Sequence, residues 1–118
     1  YYIGDTYINH PDHRTAGHVV IDSVFPAAQN KKFFPELLKE GLEPHHVSEV
    51  WLALPKQPNT IIDVTKYWHK KLEALHKHAS QIGDIDSFDK NMISRHTQNL
   101  TIENPQYEEL FHRIVIRR

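Results

Sequence analysis

A chain of 118 residues with 14 basic and 15 acidic side chains, and a net charge of −1, carries no electrostatic footprint for nucleic acid or an anionic membrane surface. No cysteine is present, so disulfides contribute nothing to the fold, and the expected compartment is the cytoplasm. No run approaches the roughly 20 apolar residues of a membrane span, and no signal peptide is read at its start.

Residues 1–9 read as an extended lead-in. The absence of an initiator Met before Tyr1-Tyr2-Ile3-Gly4-Asp5 leads us to expect a fragment or a processed piece. From Pro11, the apolar positions Ala16, Val19, Val20, Val24 and Ala27 recur at helical spacing, with Pro26 as a kink or stop. Phe34 to Glu40 reads as a short helix, opened by Pro35 and ended by Gly41. Val50-Trp51-Leu52-Ala53-Leu54 is a continuous apolar run, predicted to be a strand buried on both faces as in a parallel sheet. Thr60 to Val64 is a second strand candidate. Thr65 is predicted to cap one long helix to Gln81, with Trp68, Leu72, Leu75, Ala79 and Ile82 as its apolar stripe and Gly83 as its stop. Asp86 or Ser87 is the expected cap of a following helix carrying Phe88, Met92 and Ile93. Asn104-Pro105 breaks the chain, and Leu110 to Ile116 forms a final strand or packing segment. This order of helices and strands is α/β in class. Two or three strands are few for an independent parallel sheet, so the reading is of part of a larger domain.

The chemistry concentrates in Asn9-His10-Pro11-Asp12-His13-Arg14. Pro11 suits the first helical position, which puts His10 at the cap and His13 in the first turn, side by side. Imidazole is both a metal ligand and a proton-transfer group. Asp12 can fix a neighbouring ring's tautomer, or simply favour the positive end of the helix dipole. The same residues also suit a plain helix cap with two surface imidazoles. One or two His do not fill a catalytic zinc site, which takes about three protein ligands and a water.

Ten histidines are unusual for this length. Most read as solvated or packing residues: His18 on the first helix, His45-His46 in a loop, and His78 at a helix end. His69 and His76 share a helix face, and could bind a metal only with help from elsewhere. Lys66, Lys70, Lys71 and Lys77 read as a solvated basic face. With four glycines, no Gly-rich phosphate loop is present.

Taken in order, these residues resemble a known family. Tyr7-Ile8-Asn9-His10-Pro11-Asp12-His13-Arg14 is similar to the second metal motif of the PIG-L/LmbE-like deacetylases. Phe34 to Leu38, Glu49 to Leu52, Pro58-Asn59 followed by Asp63-Val64-Thr65, and Lys71 through His78 to Gln81 are similar to that family's C-terminal half, in the same order. The resemblance implies the C-terminal portion of a Rossmann-like, three-layer α/β domain, with residues 1–118 as a single region. It implies a zinc-dependent hydrolase that removes an N-acetyl group from an N-acetylglucosamine-type sugar. His13 is then the Zn2+ ligand, His10 the proton donor or oxyanion partner, and Asp12 the residue that holds a ring in its working tautomer. The family's other two ligands and its general base belong to an N-terminal His-Pro-Asp-Asp motif that these residues do not contain. This chain alone is therefore expected to be inactive and to need the missing half, a complementary chain or a second copy.

Two rival readings are a non-catalytic subunit or degenerate homologue acting as a binding or structural module, and a different metallohydrolase using Asp63 at a strand end.

Overall fold

The computed structural model describes residues 2–3, 7–97 and 105–117. Parts of the lead-in, and Asn104 of the expected chain break, lie outside the described residues. The chain divides into two compact units, Tyr1–Gln57 with His112–Arg118, and Pro58–Phe111.

In the first unit, β1 (Tyr2–Ile3) and β2 (Tyr7–Ile8) pair antiparallel, ahead of α1 (Pro11–Asp22). Pro11 occupies the first helical turn and Asp12 is its acidic residue, the local chemistry that starts a helix here. α1 ends before Pro26, as its sequence implies. Ser23–Ala27 follows as a wide turn in which Phe25 is extended (φ −149°, ψ 126°) and the Phe25–Pro26 bond is cis. α2 (Pro35–Lys39) closes at Gly41, whose φ of +82° is the left-handed geometry that glycine accepts without a Cβ clash. β3 (Glu49–Ala53) lies beside the second half of β5 (Glu108–Val115), where the Ile116 N–H donates to the Ser48 carbonyl at 2.9 Å. Arg113 on β5 holds both carboxylate oxygens of Glu49, and Glu49 also accepts from the Trp51 indole N–H at 2.9 Å. These donors, Arg113 foremost, pull the Glu49 pKa down to about 2.

The second unit contains β4 (Thr60–Asp63), α3 (Trp68–His76), α4 (Ala79–Ile82), α5 (Ile85–His96) and the first half of β5. β4 pairs antiparallel with β5, Thr60 opposite Phe111 and Asp63 opposite Glu108. Trp68 is the one buried hydrophobic residue among those described, at 5% exposure. Tyr107 stacks flat on it at 4.3 Å, and Lys71 Nζ sits 5.7 Å from its ring centre. α3 and α5 are also joined by His76 Nε2 and Asp89 Oδ1 at 2.7 Å.

Mixed helix and sheet in one chain agrees with the α/β expectation, but several details differ. β3 is not buried on both faces: Trp51 is 42% exposed and Leu52 37%. An apolar run specifies a tendency to be covered without specifying what covers it. The β4–β5 pairing is antiparallel rather than parallel, because β5 returns alongside β4 in the opposite direction.

The expected long helix is interrupted. Thr65–Tyr67 is a single 3-10 turn, and α3 ends at His76, where the Lys77 and His78 N–H groups tighten onto the Ala74 and Leu75 carbonyls. Thr65 does not cap it: its hydroxyl accepts from the Tyr107 N–H at 2.9 Å, while Asp63 Oδ1 accepts from the Thr65 N–H. The Thr65 hydroxyl first, and then the Thr65 N–H, lower the Asp63 pKa from its ordinary value. α5 is capped by Asp84, not by Asp86 or Ser87, with Asp84 Oδ1 accepting from the Ser87 N–H at 2.9 Å.

Lys71 leaves the supposed solvated face, donating to Glu109 and, at 3.2 Å, to His96 Nε2. His96 Nδ1–H in turn donates to the Met92 carbonyl at 2.9 Å, so the ring is neutral. Burial pushes the His96 pKa below its ordinary value; Lys71 and Arg95 also lower it, while the Met92 bond and Glu109 act the other way.

The unfolded chain therefore takes up this proton before the folded one does. The stabilising contribution is complete above the unfolded pKa of about 6.5. It is lost as pH falls toward the depressed folded value. The thermal midpoint of His96→Phe should accordingly fall less than wild type between pH 8 and pH 5. Equal slopes for the two proteins would refute the assignment.

Candidate active site

Asn9 to Arg14 lie at the start of α1, within the first unit. His10 is the cap residue: its Nδ1 accepts from the Asp12 N–H at 3.2 Å. The Arg14 N–H closes the first helical turn on the His10 carbonyl at 3.1 Å. His13, three residues on, presents its ring to the same side, with the two centroids 6.0 Å apart. Asp12 Oδ2 lies 3.6 Å from His10 Nδ1, at a strongly exposed site.

The hydrogen bonds assign opposite characters to the two rings. An Nδ1 that accepts leaves the neutral His10 with its proton on Nε2, a donor. His13 Nδ1 meets Asn9 Oδ1 at 3.2 Å. A carbonyl oxygen can only accept, so His13 Nδ1 carries the proton and Nε2 carries the lone pair. Neither Nε2 has a hydrogen-bond partner among the described residues. One outward nitrogen can thus donate to a developing negative charge, and the other can ligate a cation.

His13 fits one position of a zinc site by this chemistry. Among the described residues, no three His, Cys, Asp or Glu side chains gather to hold a metal ion. The other imidazoles are engaged elsewhere or apart: His76 with Asp89, His96 with Lys71, and His46 Nε2 with the Ile116 carbonyl at 3.3 Å. Asp63, the rival strand-end ligand, is committed to its turn. A separate hollow of about 440 Å³ in the first unit, lined mainly by Ala27, Phe34, Leu37, Leu38 and Leu42, contains none of the motif residues. Its apolar lining suits packing better than hydrolytic chemistry.

Sequence reasoning placed His10, Asp12 and His13 together but left Asn9 without a role. The signal available was its spacing of four residues from His13 across a helix start, which brings two side chains within reach. Among the described residues no helix is long and apolar enough to cross a membrane.

Diacetylchitobiose deacetylase of Thermococcus kodakarensis is 37% identical to this chain over 76 residues, a match that covers 64% of the chain and 28% of that enzyme. The chain therefore spans well under half the length of the relative it matches. No family model and no solved structure matches it. By this likeness the chain is similar to a deacetylase, a hydrolase.

Proposed function

We propose that this chain supplies the second-motif part of a zinc-dependent N-deacetylase of the PIG-L/LmbE-like type, acting on an N-acetylated amino sugar of the N-acetylglucosamine kind. The observation that carries the reading is the 37% identity to diacetylchitobiose deacetylase, taken with the paired imidazoles at the start of α1.

His13 would hold the zinc through Nε2, and the further ligands would come from outside the described residues. Bound zinc supplies a nucleophilic water near neutral pH and polarises the carbonyl. The remaining steps belong to this chain's side chains. His10 Nε2–H donates to the oxygen that gains charge as the amide carbonyl becomes tetrahedral. Delivering a proton to the departing amine requires the same ring to be the imidazolium, protonated on Nδ1 as well, so that it ends the step as neutral imidazole. Asp12 keeps the ring placed for both tasks, with its backbone N–H on Nδ1 when the ring is neutral and its carboxylate close by when Nδ1 is protonated.

The test is acetate release from N-acetylglucosamine and diacetylchitobiose by the complete gene product. Release that stops on chelation and returns with zinc supports the reading. Release indifferent to chelation overturns it.

The partner required is a complementary segment or a second copy, which the exposed apolar side chains favour. Val19 and Val20 on α1 are 58% and 57% exposed, and Ile61 on β4 is 57% exposed. Uncovered apolar side chains of this kind promote association. The purified 118-residue chain should sediment as a dimer or larger species at micromolar concentration. A strictly monomeric species across the accessible concentration range would count against this.

A further inference from the structure

We infer that Asn9 is a positioning residue that selects the tautomer of His13 and thereby makes its Nε2 available to a metal ion; this rests on the reading of His13 as a ligand.

Asn9 lies one residue before the cap of α1, outside the helix, while His13 is the third residue inside it. In a capping box, a Glu or Gln at the third position reaches back to the cap backbone. Here the His13 ring turns instead to the Asn9 side chain, with Nδ1 to Oδ1 at 3.2 Å. The residue that does the orienting is itself held: Arg14 donates through Nη1 to the Asn9 carbonyl at 3.1 Å. Arg14 thus ties the first turn of the helix to the residue before it. That clamp keeps the Asn9 amide within reach of position 13.

The consequence is chemical. Imidazole ligates a metal through a nitrogen without a proton, and the partner of the other nitrogen decides which nitrogen that is. In water the free neutral ring prefers its proton on Nε2. That tautomer would present an N–H where a ligand is needed. An acceptor on Nδ1 reverses the preference. His10, whose Nδ1 faces a backbone donor, is held the opposite way. Two adjacent imidazoles therefore differ in function because Asn9 Oδ1 meets one and the Asp12 N–H meets the other.

The experiment reads the tautomer directly. Long-range 15N–1H spectra of the metal-free 118-residue chain are recorded at about pH 8, where histidines of ordinary pKa are neutral. The His13 resonances are identified by their loss in His13→Ala. Wild type should show His13 protonated on Nδ1. Asn9→Ala should move it toward the Nε2-protonated form, and Asn9→Asp, which keeps an acceptor at that place, should restore it. In parallel, zinc competition against a chromophoric chelator, run on the complete protein, should show affinity about 10–100-fold lower in Asn9→Ala, with recovery in Asn9→Asp.

An Nε2-protonated His13 in wild type, or a tautomer indifferent to Asn9→Ala, overturns the inference even if zinc binds at His13. A tautomer that follows Asn9 as expected, combined with no zinc-dependent change in the His13 resonances of the complete protein, overturns the ligand reading instead. The two failures are thus distinguishable.

Discussion

Replacing Trp68 with alanine should leave the second unit unfolded, or nearly so, at ambient temperature. Removing a buried Trp side chain costs about 3–5 kcal/mol, and a whole domain is typically stable by only about 5–15 kcal/mol. Trp68 is the one buried hydrophobic residue among those described, so little else in the unit can compensate. The substitution also strips a stacked face from Tyr107 and a ring from beneath Lys71, and it vacates the side of His96, whose centroid lies 5.3 Å from the indole. Lys71, Glu109 and His96 would lose the apolar side that screens them from water. Far-UV circular dichroism during heating and urea titration measures the loss, since α3, α4 and α5 all belong to this unit. Trp68→Phe, which keeps an aromatic face, should recover much of the stability. An unchanged midpoint in Trp68→Ala would mean that the unit is held together elsewhere.

On the proposed function, His10→Ala and His13→Ala should both cripple acetate release, by separable routes. His13→Ala removes a ligand, so metal content and turnover should fall together. His10→Ala leaves the ligand in place and removes a donor aimed at the reacting carbonyl, a loss of about 10²–10³ in kcat with metal content retained. Because His10 also caps α1, its replacement should carry some structural cost. His10→Asn keeps a capping side chain and so separates the cap from the chemistry. Its helix content should match wild type while turnover stays low. The assay is run on the complete protein, with bound zinc measured on the same samples. Full metal loss in His10→Ala, or full activity in His13→Ala, would reverse the assigned roles.

The contrast between the two histidines shows where local sequence information runs out. That Pro11 opens a helix, that His10 caps it and that His13 lies in its first turn are all legible in the chain. A fixed proline φ, a cap position and an acidic first-turn residue act on neighbours whose separation the helix itself sets. The ends of α2 and α4 are legible for the same reason, because Gly41 and Gly83 accept backbone angles that other residues resist. Apolar and β-branched runs also mark 50–54 and 60–64 as strands and 110–116 as a strand or packing segment, and these overlap β3, β4 and β5.

The structure alone decided the partners. Lys71 looked like one of four basic residues on a wet face, and it became the donor to Glu109 and His96, 38 and 25 residues away in sequence. Thr65 looked like a helix cap, and its hydroxyl was taken by the Tyr107 backbone, 42 residues distant. Its place in the turn went to Asp63, and the helix that it was to open broke at Lys77. Periodicity records which face of a segment avoids water. It does not record which strand returns beside it, in which direction, or which distant donor reaches a given acceptor first. Those outcomes depend on the path of the whole chain, and only the tertiary structure settles them.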